Sequence, residues 1–387
     1  MKAIFISGLD FESPIQVGDH QLAKQFAKNG WELAFISLVV TPFHFFSKNK
    51  NDVKRRLRNF LHNGFSYSIG EGHLWSYVPG GLISPKIFLF SNLNFANSWH
   101  RFTIPNLKNL LFNRGFEKVD LLYIRDPYQL SILNFINYDF SIYRIADNDE
   151  KFDSSNKDFR NLEQSLTQKT NLVLYTARNL KEKVIQLNPI NYSYFPNGVN
   201  FKFFQADNHS IPEAYEKINK PIVIYVGSLD FWFDYDLLNN LAKSLPDIAF
   251  VLIGPSEKYR HRFEEVANIF LLGPIPHNQI PNYLIHADVG IIPFNVQDYP
   301  DLVNSINPIK LYEYMASGLP VIASKWDELV TLQSPAILCS THEDFKTNIQ
   351  SLLQKKPEKH IYQSFAAKFD WGELYNQLLI RISELSN

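Results

Sequence analysis

Short, nearly unbroken apolar runs alternate along this chain with longer stretches in which apolar side chains recur at helical spacing. The alternation predicts strands followed by helices, the pattern of parallel α/β sheets. Residues 3–7 read as the first strand; Leu22, Ala23, Phe26 and Ala27 mark one face of a helix ending at Gly30; and residues 31–39 read as the next strand. The runs 119–124 (VDLLYI), 141–146 (SIYRIA) and 171–176 (NLVLYT) are continuous enough for strands covered on both faces. A polar stretch, 205–220, interrupts the series, which restarts at 221–226 and continues through 250–253, 269–272, 289–292, 319–323 and 336–339. The expected fold class is α/β: two doubly wound, Rossmann-like domains, 1–205 and 206–387, facing each other across a cleft, with the last helix expected to pack back on the first. Such sheets bind ligands beyond the carboxyl ends of their strands.

Length agrees, since 387 residues exceed one typical core. At 45% hydrophobic and 20% charged residues, the composition is that of an ordinary globular protein. The single cysteine, Cys339, excludes a disulfide scaffold and a cysteine-based metal site, and points to a reducing compartment. The apolar run at the start is too short for a signal-peptide core. Residues 33–46, broken by Ser37, Thr41, Pro42 and His44, fall short of the ~20 needed to span a bilayer, so no transmembrane helix is expected.

Charge changes the picture more. The first 200 residues hold 23 Lys and Arg against 17 Asp and Glu; the remainder hold 15 against 22. The positive half is the candidate for contact with an anionic surface. Within it, Val53, Leu57, Phe60 and Leu61 follow helical spacing among Lys48, Lys50, Lys54, Arg55, Arg56 and Arg58. This basic amphipathic segment fits an anionic membrane surface or the plain solvated face of a helix. No nucleic-acid motif accompanies it, and no nucleic-acid partner is expected.

The most informative segment is 305–324, SINPIKLYEYMASGLPVIAS. Asn307 is a good N-cap, Pro308 fits the first helical position, and Gly318 is placed to end the helix. The N-terminus of such a helix favours an anion such as a diphosphate, and Lys310 adds a full charge. Glu313, three residues on, is placed either to take the two hydroxyls of a ribose or to pair with Lys310 as an i,i+3 bridge. The spacing suits a nucleotide sugar.

This segment resembles the nucleotide-binding stretch of two-domain GT-B glycosyltransferases. The loops Val226-Gly227-Ser228, Ile253-Gly254-Pro255 and Leu272-Gly273-Pro274 stand where that fold brings backbone close to nucleotide and sugar, and 270–294 is similar to its base-binding region. The resemblance implies that Gly227, Ser228, Gly254 and Gly273, with Ser305, Asn307, Lys310 and Glu313, hold the nucleotide sugar. In the first half, RFTIPNL, VDLLYIRDPYQ, YRIADN and later YFPNGVNFKFF resemble a GumK-type glucuronosyltransferase of bacterial exopolysaccharide assembly.

That closer resemblance implies an inverting, peripheral enzyme on the cytoplasmic side of the cell membrane. It would move a sugar, glucuronic acid in the type case, from a UDP-sugar to a polyprenyl-diphosphate-linked oligosaccharide. It makes Asp147 the catalytic base, with Lys310 on the diphosphate and Glu313 on the ribose. Retaining relatives often carry a further glutamate where this chain has Ser305, which favours inversion. His20, near the start of the first helix, is a second candidate base, with a backbone-bonded helix-start histidine as its plainer reading. No DxD-like pair lies beside the phosphate-binding segment, although Asp147 and Asp149 stand close together, so neither a metal nor a cofactor beyond the donor is expected. Two other classes fit the architecture: a UDP-sugar epimerase and a non-catalytic nucleotide-sugar-binding protein.

Overall fold

The apolar runs of the first half become β1 (Lys2–Ile6), β2 (Glu32–Ile36), β7 (Lys118–Ile124), β8 (Asn137–Ile145) and β9 (Leu172–Tyr175) in a computed structural model of the chain. The structure describes residues 1–46, 50–86, 92–148, 158–205 and 210–386. They divide into two units, Met1–Phe195 with Tyr375–Asn387, and Pro196–Leu374.

In the first unit these strands are joined by β3 (Phe65–Ile69), β4 (Gly72–Tyr77) and β10 (Tyr192–Tyr194), and a small ribbon pairs β5 (Gly80–Gly81) with β6 (Thr103–Ile104). The sheet order is β10-β9-β8-β7-β1-β2-β4-β3. Only β3 runs antiparallel, against β4. That hairpin was not among the expected strands. Phe65, Tyr67 and Ile69 alternate with more exposed serines, the period-2 pattern of an edge strand rather than a continuous apolar run. Because β2 and β7 flank β1, the chain reverses its winding there, and the switch point lies beyond the carboxyl ends of β1 and β7. The C-terminal residues complete this core: the Trp31 indole donates to the Tyr375 hydroxyl at 3.1 Å, and the Tyr375 ring meets Phe26 edge-on at 4.8 Å.

The second unit is a six-stranded, wholly parallel sheet. Its strands are β11 (Ile222–Val226), β12 (Ala249–Ile253), β13 (Ile269–Gly273), β14 (Val289–Ile292), β15 (Val321–Ser324) and β16 (Ile337–Cys339), in the order β13-β12-β11-β14-β15-β16. Helices cover both faces, so these strands read as apolar runs without alternation. Residues 196–205, upstream of the polar stretch, belong here. Val199 N–H donates to Phe369 O at 2.9 Å and Phe201 N–H to an Asp370 carboxylate oxygen at 2.9 Å.

The helix Ile309–Ala316 is buried from Leu311 onward. Gly318 stops it as its sequence position suggests: at φ +73° it lets Leu319 N–H reach Tyr314 O and Gly318 N–H reach Met315 O, a Schellman ending. Among the described residues no helix is long and apolar enough to cross a membrane.

Candidate functional site

The switch point of the second sheet lies between β11 and β14, and three glycine loops gather at its carboxyl edge. Gly227 N–H donates to Ile253 O at 2.8 Å, and Gly254 N–H to Gly273 O at 2.9 Å. A Cβ on Gly254 would stand 1.9 Å from Gly227 O, and both residues have positive φ, +147° and +154°. Only glycine lets these backbones pass so closely. Gly273 also has positive φ, with open space where a Cβ would be. Ser228 is partly buried, its carbonyl held by the Tyr225 hydroxyl at 2.9 Å.

Lys310 belongs to the same place. A Cβ on Gly227 would lie 2.8 Å from Lys310 Cε, and the ammonium sits over the rings of Tyr225 (5.4 Å) and Phe294 (4.8 Å). The Tyr314 hydroxyl accepts from Val226 N–H at 2.6 Å, which ties the helix to the end of β11. The ammonium and the helix N-terminus therefore meet the glycine backbones at one edge, a geometry suited to a phosphate.

Around this helix the structure revises three sequence expectations. The N-cap is Pro308, one residue later than expected, and no side chain caps the first turn. Asn307 turns inward: its Oδ1 accepts from Asn197 N–H at 3.1 Å and from the Tyr312 hydroxyl at 3.1 Å, while its Nδ2 donates to Glu328 at 2.8 Å. Ser305 is buried and donates to Leu302 O at 2.7 Å. Both side chains brace the loop from inside. Glu313 pairs not with Lys310 but with His277, whose Nε2 lies 2.8 Å from Glu313 Oε1. His277 was missed because 36 residues separate it from its partner.

In the first unit Asp147 follows β8 with its side chain about one-third exposed, 3.9 Å from the Arg125 guanidinium at the end of β7. Asp149 lies outside the described residues. His20 has its ring fully buried: Nδ1 accepts from Val17 N–H at 3.3 Å, so Nε2 carries the proton and donates to Asp10 O at 3.0 Å. Burial lowers its pKa, which keeps the ring neutral. With both nitrogens on backbone, the geometry of His20 matches its plainer reading as a helix-start brace.

Beside it Asp19 accepts from the Tyr123 hydroxyl (2.8 Å), Arg144 (3.2 Å) and Ser7 (3.1 Å), all buried. The switch point itself carries Asp126, which was not anticipated. It caps the following turn by accepting from Tyr128 N–H and pairs with Lys86 at 3.0 Å. Among the described residues no cluster of three or more His, Cys, Asp or Glu is placed to hold a metal ion.

The basic segment forms the helix Lys50–Leu61, with Lys48 outside the described residues. Two of its arginines face inward. Arg55 binds Asp10 in bidentate fashion at 2.9 and 2.8 Å and also meets Asp52; Arg56 donates to the carbonyls of Leu38 (2.7 Å) and Val39 (3.0 Å). Lys50, Lys54 and Arg58 stay exposed. The outer face is thus less basic than the run of residues suggested.

Two units with doubly wound, largely parallel sheets define the GT-B fold. The chain matches sucrose-phosphate synthase from Thermosynechococcus elongatus with a TM-score of 0.68 at 16% identity, covering 99% of this chain and 98% of that one. It matches Anabaena HepE, solved in complex with UDP and glucose, with a TM-score of 0.66 at 14% identity over 99% and 100%. More particularly, residues 220–355, within the second unit, match the family model described as Glycosyl transferases group 1. Over 195 residues the chain is 23% identical to TuaH of Bacillus subtilis (strain 168), named as a teichuronic acid biosynthesis glycosyltransferase; the match covers 47% of this chain and 48% of that protein. The chain thus spans about half the length of the curated relative it matches.

Proposed function

We propose that the protein is a glycosyltransferase of polysaccharide assembly that takes a UDP-sugar as donor. The observation that carries this reading is the convergence of Lys310, the N-terminus of Ile309–Ala316 and the Gly227 and Gly254 backbones at one carboxyl edge. The diphosphate is held there and the ribose lies toward Glu313. HepE, of the same fold, binds UDP and glucose, and TuaH is named for teichuronic acid biosynthesis.

In the mechanism, Asp147 takes the proton of the acceptor hydroxyl as its oxygen attacks the anomeric carbon. The C–O bond to UDP breaks as the new one forms, inverting the centre, and charge growing on the leaving diphosphate is offset by Lys310 and backbone N–H groups. The reading calls for no cofactor beyond the donor. Its finer terms are glucuronic acid as the sugar, a polyprenyl-diphosphate-linked oligosaccharide as acceptor, and peripheral contact with the anionic cytoplasmic face of the membrane through Lys50, Lys54 and Arg58.

Incubation with a panel of UDP-sugars, with and without a lipid-linked acceptor, tests the reading. Release of UDP that depends on acceptor, with an anomerically inverted product, is expected. An altered free sugar means epimerisation, and neither product nor UDP release means binding alone; either result overturns the proposal.

A further inference from the structure

The Glu313 carboxylate is nearly buried, its side chain 12% exposed, and the side chain bonded to it among the described residues is His277. A carboxylate only accepts, so Nε2 carries the proton and donates to Oε1. The ring does not hold this direction alone. It lies nearly parallel to Phe203 (6.2 Å, 19°) and meets Phe204 edge-on (5.5 Å, 75°), both from the helix Phe201–Gln205. That helix follows Asn197, whose side-chain amide donates to Asn307 O at 2.7 Å, immediately before the nucleotide-binding helix. The turn His277–Gln279 that carries the ring comes directly after the β13 loop at Gly273.

Two segments far apart in sequence therefore clamp one imidazole against one carboxylate. A glutamate in a helix reaches several rotamers, and a bond to Oε1 selects one of them while leaving Oε2 for a ligand. An N–H donor also offsets the cost of burying the charge.

We infer that His277 is a positioning residue of the donor site: by holding Glu313 Oε1 it aims the carboxylate at the ribose hydroxyls and sets how strongly the protein distinguishes a ribose from a deoxyribose. This rests on the UDP-sugar reading above. The histidine touches the carboxylate rather than the reacting atoms, so its effect falls on recognition of the sugar of the nucleotide.

Calorimetry with UDP, 2′,3′-dideoxy-UDP and UMP on the wild type, His277→Ala and His277→Gln tests it. Hydrogen bonds to a charged group lead to an expected wild-type preference for UDP over the dideoxy nucleotide of about tenfold to a hundredfold. In His277→Ala that preference falls at least threefold, while the UDP-over-UMP ratio, set by the diphosphate, keeps its wild-type value and shows the site still folded. His277→Gln, whose amide can donate to Oε1, recovers most of the preference. An unchanged preference in His277→Ala overturns the inference and leaves the donor reading intact, as does a glutamine variant no better than alanine. A wild type that binds no UDP overturns the donor reading and the inference with it.

Discussion

Beyond the sheet of the first unit, charged groups satisfy one another. Asp19 is filled by Tyr123, Arg144 and Ser7, Asp10 by Arg55, and Asp126 by Lys86 and a backbone N–H. At the same edge of the second unit the construction is glycine backbone, an uncapped helix start, an ammonium over two rings and a carboxylate held on one oxygen. Beside this closed network the Asp147 side chain, about one-third exposed, is the more accessible acid. A backbone cradle makes room, because only a surface lacking side chains lets a phosphate approach N–H groups directly.

The sharpest way to break this contrast is to remove Asp147, the partly exposed acid beside that network. Asp147→Asn is expected to cut turnover about a hundredfold to ten-thousandfold while leaving UDP affinity nearly unchanged, measured by product formation and calorimetry. Near-normal turnover would remove Asp147 from the mechanism.

Next in size is the buried pair. Asp19→Ala removes the carboxylate that faces the Arg144 guanidinium, 1% exposed, and is expected to cost about 3 to 5 kcal/mol of stability in urea unfolding. A change below about 1 kcal/mol would mean the network contributes little to the stability of this unit.

On the open side, Lys310→Ala is expected to weaken UDP binding about tenfold to a hundredfold, with little effect on folding. Unchanged affinity by calorimetry would place the phosphate elsewhere.

Acid should separate the units in a graded way. Burial lowers the pKa of His20, and burial with Arg101 and Lys108 nearby pushes His100 down to about 4 from an ordinary 6.5. The unfolded chain then binds more protons than the folded one below about pH 6.5, so this stability is present above that pH and is lost as pH falls toward 4. Hydrogen exchange at pH 7 and pH 5 should show amides of the first unit losing protection before those of the second. His100→Leu should lessen the difference, and equal loss in both units would contradict the assignment.

The smallest effect concerns the outer helix. Lys54→Gln and Arg58→Gln are each expected to remove about 1 kcal/mol of attraction to anionic vesicles at low salt, read by flotation. Arg55→Gln and Arg56→Gln should instead lower the thermal midpoint, because their guanidinium groups hold Asp10 and two carbonyls.

How far the site could be read from residues varies with the range of the interaction. Lys310 and Glu313 stood out because a helix places them three residues apart on one side, and Gly318 because a helix ending in the left-handed region favours glycine. The alternating strand Phe65–Ile69 escaped a search for continuous runs, although its period of two was visible. Asn307 looked like a cap until Asn197, 110 residues away, took its oxygen. Nothing near Arg55 in sequence indicated that Asp10, 45 residues back, would draw it inward.

From the order of residues alone come the alternation of strands and helices, the two winding series, and the helix that ends at Gly318, because each depends on contacts within a few residues or on the conformational limits of glycine and proline. Tertiary structure decided which charges close on one another and which stay open: His20 on two backbone groups, Glu313 on His277, Gly227 against Gly254 and Lys310. Those choices depend on distances between chain segments tens to more than a hundred residues apart, and no local pattern encodes them.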